Sequence, residues 1–323
     1  MRHDKGRANK RRESHSLGMN EAEQSRYAEW AARGNYGYYY YRGLYEGLES
    51  WLLGRKNDKG TDTIEKRAKL FLENNSTNNM LVKEHFMRSV SFMSGKAKMC
   101  GFILKTTYPG LLIGAGYGHG LSDESDFKLG FAFDYTTGLP IIPGSSVKGV
   151  LRSAFGAGHN KNEKLRSQKQ EYVAKKLRQM GVEATRDEVE KLEKAIFDGI
   201  AGGTQLPLAA RDVFFDAWPV KRETTSGGRL FYDDYVTPHI RDGRDRNGEY
   251  FIEEDSALDN PTPVRFLKVA PNVTYEFCFL LTETTLGDIK VSVEIKLGLF
   301  KDILKDMGMG AKTRVGYGYF REV

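Results

Sequence analysis

The middle of the chain carries a short apolar segment that runs directly into a helix-forming one: Pro140-Ile141-Ile142-Pro143-Gly144-Ser145-Ser146-Val147-Lys148-Gly149-Val150-Leu151-Arg152. The prolines bound an extended run, and Gly144 supplies a turn. Ser145 and Ser146 are residue types that commonly cap helix N-termini. We therefore predict a strand, a turn and then a helix that ends near Gly156.

The start of this helix is a candidate anion site. The first amides of a helix lack partners within it and lie at the positive end of the helix dipole, where a phosphate binds well. Lys148 and Arg152 are four residues apart and share one helix face. Similar segments also begin ordinary helices, so this stretch alone does not decide between a binding site and a plain helix start.

A second stretch near the C-terminus answers the first: Gly308-Met309-Gly310-Ala311-Lys312-Thr313-Arg314-Val315-Gly316-Tyr317-Gly318-Tyr319-Phe320. Two Gly-x-Gly pairs enclose Lys312 and Arg314. Glycine permits positive φ and close backbone approach. A glycine loop that carries two cations and is followed by aromatic residues is a candidate nucleic-acid surface, although glycine pairs also form simple turns.

Together the two stretches resemble the RAMP superfamily of CRISPR proteins. Residues 143–152 match the family's helix-opening pattern Pro-Gly-Ser-Ser-x-Lys-Gly-x-x-Arg, and residues 308–318 match its loop Gly-x-Gly-x5-Gly-x-Gly without a gap. The motif-bearing resemblance spans roughly residues 100–323. Within the superfamily the chain is most similar to the subunit-six family of the type III-B Cmr effector, from its length, its single copy of each motif and the segment Thr237-Pro238-His239.

The resemblance implies a cytoplasmic, non-catalytic RNA-binding subunit that serves antiviral defence without a cofactor. Such a subunit holds the guide RNA, at its 3′ part, and the guide–target duplex, beside other Cmr subunits. It contacts backbone and shape, and leaves sequence reading to base pairing. The RNA-binding residues implied for this chain fall in the two motifs: Gly144, Ser145, Ser146, Lys148, Arg152, Gly308, Gly310, Lys312, Thr313, Arg314, Gly316, Tyr317 and Gly318.

Composition excludes several other classes of protein. Two cysteines, Cys100 and Cys278, do not make a disulfide framework or a cysteine zinc site and fit a reducing, intracellular setting. No apolar run approaches a membrane span, and no apolar segment follows the basic N-terminus as in a secretory signal. Residues 1–12 hold six cations and one acid, a net +5, which leaves about +1 for the rest. An RNA site in the folded part must therefore come from local grouping of charge.

The predicted element order from Cys100 onward is strand, helix, several strands, helix, glycine loop and strand. This order fits a split βαβ, ferredoxin-like (RRM-like) sheet, and hence an α+β fold. We divide the chain into a basic, disordered tail at 1–35, a helical addition at 36–95 and a RAMP domain at 96–323. Insertions are expected at 157–200, a charged helical pair standing partly off the core, and at 220–262.

The second insertion contains a predicted long hairpin with arms at 232–240 and 249–252. Asp242-Gly243 and Asn247-Gly248 supply turn chemistry at its tip. Arginine at such a tip suits phosphate. The tip cations Arg241, Arg244 and Arg246 are therefore candidate contacts to RNA or to a neighbouring subunit, with a solvated loop as the alternative.

The sequence offers little support for a catalytic site. Ser145-x-x-Lys148 has β-lactamase spacing but lacks the partner motifs, and residues 114–120 lack the ending of a phosphate-binding loop. The main enzymatic alternative is a metal-independent RNA-processing endoribonuclease that uses His119, for which no partner group is visible. The six histidines show no metal-ligand spacing.

Two further hypotheses stay open. An aspartate that cuts target RNA has four unmarked candidates: Asp123, Asp126, Asp233 and Asp234. The other hypothesis is a protein-only scaffold, with the tyrosine-rich run at 36–41 and the N-terminal helices as its assembly surface. Tyrosines of this kind stack on bases, pack at an interface or lie beneath a helix.

Overall fold

We describe the protein from a computed structural model. The structure describes residues 22, 25, 26, 29, 34–46, 58–76, 97–114, 127, 131–156, 162–220, 228–236, 240–244, 250–254, 263–287 and 289–323, with the backbone alone at 58–62, 240–244 and 250–254.

Six α-helices and thirteen strands occur in these residues. The helices are α1 (Tyr36–Tyr41), α2 (Asp58–Asn74), α3 (Gly144–Ala154), α4 (Glu163–Gln179), α5 (Arg186–Glu193) and α6 (Val293–Met307). The strands are β1 (Lys98–Thr106), β2 (Ile200–Ala201), β3 (Thr204–Gln205), β4 (Val213–Phe214), β5 (Trp218–Pro219), β6 (Phe231–Val236), β7 (Ile240–Arg244), β8 (Tyr250–Glu254), β9 (Val264–Val269), β10 (Thr274–Leu281), β11 (Thr284–Leu286), β12 (Ile289–Val291) and β13 (Phe320–Arg321).

The main sheet confirms the α+β prediction. Its strands lie in the order β13-β1-β10-β4, with β5 also paired to β10, and every pairing is antiparallel. The helix α3 connects β1 to β4, and α6 connects β10 to β13. Numbered along the split βαβ pattern, the four strands are therefore arranged 4-1-3-2, which is the ferredoxin-like order.

The two crossover helices pack on one face of the sheet. The ring of Phe300 in α6 lies 5.4 Å from Phe279 of β10 and 5.7 Å from Phe214 of β4, measured between centroids. Within this layer the ammonium of Lys296 reaches Asp212, with Nζ 2.5 Å from Oδ2 and both side chains only 1% exposed. A fully buried ion pair thus joins α6 to the segment that precedes β4.

The charged helices α4 and α5 do not stand off the core as expected. Their apolar residues Val173, Leu177 and Leu192 are buried in the same cluster as the sheet. On the rim of this contact, Lys176 Nζ lies 2.8 Å from Asp306 of α6. Most of the charge therefore lies on the outward face of each helix, and the apolar faces pack inward.

The tyrosine run at 36–41 forms α1 and lies mostly in the core. Tyr36, Tyr39 and Tyr40 are buried. Tyr39 stacks on Phe71 of α2 at 5.0 Å, and Tyr36 meets Phe231 of β6 edge to face at 5.4 Å. These rings pack beneath a helix, so they do not form an exposed stacking or assembly surface.

The region of the predicted hairpin contains two pairs of strands. The described residues of both predicted arms lie in strands: β6 pairs with β9, so that Tyr232 is opposite Lys268, and β7 pairs with β8. The prediction that Asp242 and Gly243 form a turn at the tip is wrong, because both residues lie within β7. Residues 245–249, which include Arg246, lie outside the described residues. We call β6 and β9 together the ribbon.

In the described part of the chain, no helix is both long and apolar enough to cross a membrane.

Candidate nucleic-acid interface

The glycine loop, residues 308–318, closes on the protein's own backbone. The amide of Met309 donates to the carbonyl of Gly318 at 2.9 Å, and the amide of Gly318 donates to Gly110 at 2.8 Å. The amide of Ala311 donates to Leu112 at 2.9 Å. A Cβ added at Gly318 would clash with the Met309 carbonyl oxygen, and φ there is +77°. The pattern therefore serves close packing of the loop itself, and RNA contact by its glycines stays a prediction.

The tip of this loop presents amides that have no acceptor among the described residues. Lys312 adopts the left-handed conformation (φ 59°, ψ 32°) and is followed by a 3-10 turn at Thr313–Val315. Among the hydrogen bonds of the described residues, none uses the amide of Lys312, Thr313 or Arg314. Successive amides across a left-handed and a right-handed residue form a concave anion-binding nest. We call these three amides the nest.

Two cations flank the nest. Arg314 is exposed, and Lys312 is half-buried with Nζ 5.8 Å from the ring centroid of Phe266 in the ribbon. No carboxylate among the described residues forms an ion pair with either side chain. The nest therefore keeps both its amides and its charges available for an external anion.

Tyr317 makes its contacts within the protein, and its predicted RNA contact stays a prediction. Its side chain is buried, and its hydroxyl donates to Asp234 Oδ2 at 2.5 Å, the oxygen that also meets Lys268 Nζ at 2.5 Å. Burial, followed by the neighbouring Asp234 carboxylate, raises the pKa of Tyr317. Burial also raises the pKa of Asp234, but the hydrogen bonds from Lys268 and Tyr317 outweigh it and lower this pKa overall. The loop is thereby tied to an ionised acid of the ribbon.

The start of α3 differs from the prediction. Pro143 occupies the N-cap, and neither serine side chain caps the helix. Instead, the amide of Gly144 donates to Asp216 Oδ1 at 2.7 Å, and the amides of Ser146 and Val147 return to the carbonyl of Pro143. A carboxylate of the protein thus already accepts from the first amide of α3, and phosphate binding at this helix start stays a prediction.

The two predicted cations of α3 make contacts within the protein. Lys148 Nζ lies 5.8 Å from the ring centroid of Phe214. Arg152 Nη2 lies 2.9 Å from Asp198 Oδ2, and its Nε lies 3.5 Å from Glu193 Oε1. Since Glu193 is largely buried, Arg152 neutralises a carboxylate that has little access to water. Its predicted RNA contact is not tested by these bonds, but its charge is already paired.

We expect Arg152→Ala to lower the free energy of unfolding by about 1 kcal/mol, because the buried Glu193 loses its charge partner. RNA affinity of the folded variant should stay unchanged. Urea unfolding and RNA titration measure the two effects. Arg178→Ala removes an arginine from an exposed pair with Glu183 and should alter neither. Full stability with weakened RNA binding in Arg152→Ala would restore the RNA role.

A path of backbone hydrogen bonds connects the two motifs. From the loop, Ala311 donates to Leu112; next along the chain, Ile113 accepts from the amide of Ala132 at 3.1 Å, and Ala132 accepts from Ile141 at 3.1 Å. Each step is one strand spacing, so the path spans on the order of 15 Å. These bonds therefore link the loop to Ile141, three residues before α3 begins.

Other predicted site residues are only partly placed. Arg241 and Arg244 lie in β7, and His119, Asp123 and Asp126 lie outside the described residues. Asp233 accepts from Arg265 Nη2 at 2.9 Å, so that both ribbon aspartates are ion-paired.

The two cysteines lie on neighbouring strands as free thiols. Burial raises the pKa of Cys100 to about 11 and that of Cys278 to about 12. In the part of the chain that the structure describes, no three His, Cys, Asp or Glu side chains group as a metal site.

Comparison with known proteins gives similar sequences and structures. The chain is 28% identical over 228 residues to the CRISPR system Cmr subunit Cmr6 of Pyrococcus furiosus, covering 62% of this chain and 63% of that protein. It is 26% identical over 194 residues to Cmr6 of Saccharolobus solfataricus, covering 60% of this chain and 49% of that protein. The chain thus spans about half to two thirds of the length of these curated relatives.

Solved structures with similar folds include a cryo-EM structure of the type III-B Cmr-beta bound to cognate target RNA (21% identity, TM-score 0.48, 94% of this chain and 90% of that chain). A crystal structure of Cmr6 from Pyrococcus furiosus is also similar (21% identity, TM-score 0.42, 70% of this chain and 99% of that chain). The family model of the RAMP superfamily matches residues 103–321, which include both motifs and the whole main sheet except the start of β1. The predicted resemblance is therefore confirmed, and the chain belongs to the RAMP superfamily.

Proposed function

We propose that this protein is a non-catalytic RNA-binding subunit of a type III-B CRISPR (Cmr) effector complex, and that it holds the guide RNA, at its 3′ part, and the guide–target duplex. Membership of the RAMP superfamily and two relatives named Cmr6 support the choice of complex. Its partners are then guide RNA, target RNA and other Cmr subunits, and its setting is the cytoplasm.

The nest is the observation that carries the RNA-binding part of the proposal. Three successive amides have no acceptor among the described residues, and the side chains of Lys312 and Arg314 belong to the same short segment. Backbone amides with lysine and arginine recognise a phosphate without reading a base. The nest therefore contacts the RNA backbone. At the start of α3, Lys148 with the exposed Ser145 and Ser146 makes a second contact to that backbone.

No residue on the described surface calls for a catalytic role. The ribbon acids Asp233 and Asp234 form ion pairs with Arg265 and Lys268, an arrangement that suits structure better than proton transfer. The hairpin cations Arg241, Arg244 and Arg246 are proposed contacts to the duplex or to a neighbouring subunit, since arginine suits phosphate.

The double variant Lys312→Ala/Arg314→Ala should weaken binding of single-stranded RNA about tenfold or more, because each cation supplies a charge-assisted phosphate contact. The salt dependence should also become shallower, by roughly 0.7 for each phosphate that the variant no longer neutralises. Fluorescence anisotropy at several salt concentrations measures both. Wild-type protein should leave the RNA intact throughout, and cleavage would contradict the non-catalytic assignment.

A matched control removes two positive charges elsewhere. Lys301 and Lys305 on α6 both pair with Glu322. Lys301→Ala/Lys305→Ala should therefore weaken binding much less than the nest variant. An equal loss of affinity in both double variants would show that binding depends on net charge alone, and it would contradict the nest as the RNA-binding site. Co-purification from the native host, with sequencing of the bound RNA, tests membership of the complex.

A further inference from the structure

Tyr108 is the feature of this surface that the proposed function does not use. Its side chain is 85% exposed, although a tyrosine ring usually buries much of its area. It stands at the turn between β1 and Gly110. No motif in the sequence marks it, and its ring is not part of the buried clusters of the protein.

The turn that carries Tyr108 is held rigidly against the glycine loop. On one side, the amide and hydroxyl of Thr107 each donate to the carbonyl of Tyr319 at 3.0 Å. On the other side, the carbonyl of Gly110 accepts the amide of Gly318 at 2.8 Å. The backbone around Tyr108 is therefore fixed by the same loop that forms the nest, while its ring is left in solvent.

Tyr108 also lies close to the tip of that loop. Pro109, the next residue, would lie 3.5 Å from a Cβ added at Gly316. Val315, between the nest and Gly316, is itself 67% exposed. The segment that carries the exposed ring of Tyr108 thus meets the loop at Gly316, next to the exposed Val315 and the nest.

The charges around this ring favour a polyanion. Lys105 of β1 faces Arg321 of β13 in register, on the sheet edge that leads to Tyr108. With Lys312 and Arg314 they make four cations, and no ion pair with a carboxylate is found for any of them among the described residues. An acidic RNA backbone matches this surface better than a protein surface of mixed charge.

We propose that Tyr108 is a stacking platform for an unpaired RNA base, and that the nest holds a phosphate of the same or the adjoining nucleotide. The inference rests on the proposed function and adds to it a base-sized subsite at the glycine loop. Every base has a π face, so the platform accepts any base and preserves sequence tolerance. Its rigid turn lowers the entropy that stacking would otherwise cost.

The test uses the full chain and single-stranded RNA that contains the fluorescent base 2-aminopurine at successive positions. Stacking on Tyr108 should quench the fluorescence at one position. Tyr108→Leu should abolish that quenching and weaken binding about tenfold. Tyr108→Phe should preserve both. Tyr135→Leu is the matched control, because Tyr135 is fully exposed on a different turn, and it should change neither.

The outcomes separate this inference from the proposed function. Normal affinity and quenching in Tyr108→Leu, with binding lost in Lys312→Ala/Arg314→Ala, would overturn the platform and leave RNA binding in place. Absence of RNA binding by the wild-type chain and by the purified complex would overturn the proposed function. Loss of co-purifying subunits in Tyr108→Leu, with unchanged RNA binding, would reassign Tyr108 to a protein contact and overturn the platform.

Discussion

Replacing Lys296 with methionine should lower the free energy of unfolding by about 3 to 5 kcal/mol, because the substitution leaves the buried carboxylate of Asp212 without a counter-charge. Lys296 Nζ lies 2.5 Å from Asp212 Oδ2. Burial lowers the pKa of Lys296, and the carboxylate of Asp212 opposes that shift. Each charge therefore needs the other in order to stay buried. Urea unfolding monitored by circular dichroism measures the loss of stability.

The second carboxylate oxygen of Asp212 suggests a variant that recovers the stability lost in Lys296→Met. Asp212 Oδ1 accepts from the amide of Thr282 at 2.7 Å and from its hydroxyl at 3.1 Å. The double variant Lys296→Met/Asp212→Asn keeps these acceptor contacts and removes the charge, so it should recover much of the stability. Lys98→Met breaks the exposed pair with Glu294 and should leave stability unchanged, since water replaces that partner. Equal effects at Lys98 and Lys296 would contradict the assignment of burial as the cause.

Replacing Gly318 with alanine should destabilise the protein by about 2 to 4 kcal/mol, because the new Cβ meets the Met309 carbonyl oxygen while φ remains near +77°. The expected consequence is a disordered nest with weakened RNA binding. Unfolding and RNA titration should therefore change together, unlike in the Lys312→Ala/Arg314→Ala variant, where only binding changes.

Two other glycines separate the contributions to that destabilisation. Gly287 has φ +61° and open space around its Cβ position, so Gly287→Ala reports the backbone strain alone, about 1 to 2 kcal/mol. Gly149 lies inside α3 with ordinary φ and open space, and Gly149→Ala should stabilise the helix by about 0.5 to 1 kcal/mol. A destabilisation at Gly318 no larger than that at Gly287 would show that the loop relaxes around the added methyl group.

The loop glycines show how one sequence pattern can have two physical causes. Spacing alone is compatible with close approach of RNA or with close approach of the chain to itself. In the structure the chain approaches itself closely. A Cβ at Gly310, as at Gly318, would clash with a backbone carbonyl oxygen, in this case that of Leu112. The pattern therefore builds the nest, and the nest, rather than the glycines, provides the proposed RNA contact.

Features that depend on neighbouring residues were predictable from the sequence. The capping box of Thr185 and Glu188 forms as the spacing indicates. The order of strands and helices from Cys100 onward indicated the ferredoxin-like arrangement, and the two motifs indicated the superfamily. The last helix begins at Val293, because Ser292 caps it and the preceding residues pair as β12.

Features that depend on distant residues were decided only by the tertiary structure. Asp216 reaches Gly144 across 72 residues, and Asp198 reaches Arg152 across 46. Local spacing cannot indicate which carboxylate a folded chain brings to a given cation or amide. The same holds for the nest. The carbonyls of Leu112 and Gly110 accept from Ala311 and Gly318 on either side of it, and the three nest amides between them have no acceptor among the described residues. The sequence by itself therefore determined the elements and the family, whereas long-range pairing determined which charges and amides have no partner among the described residues and so carry the proposed RNA contact.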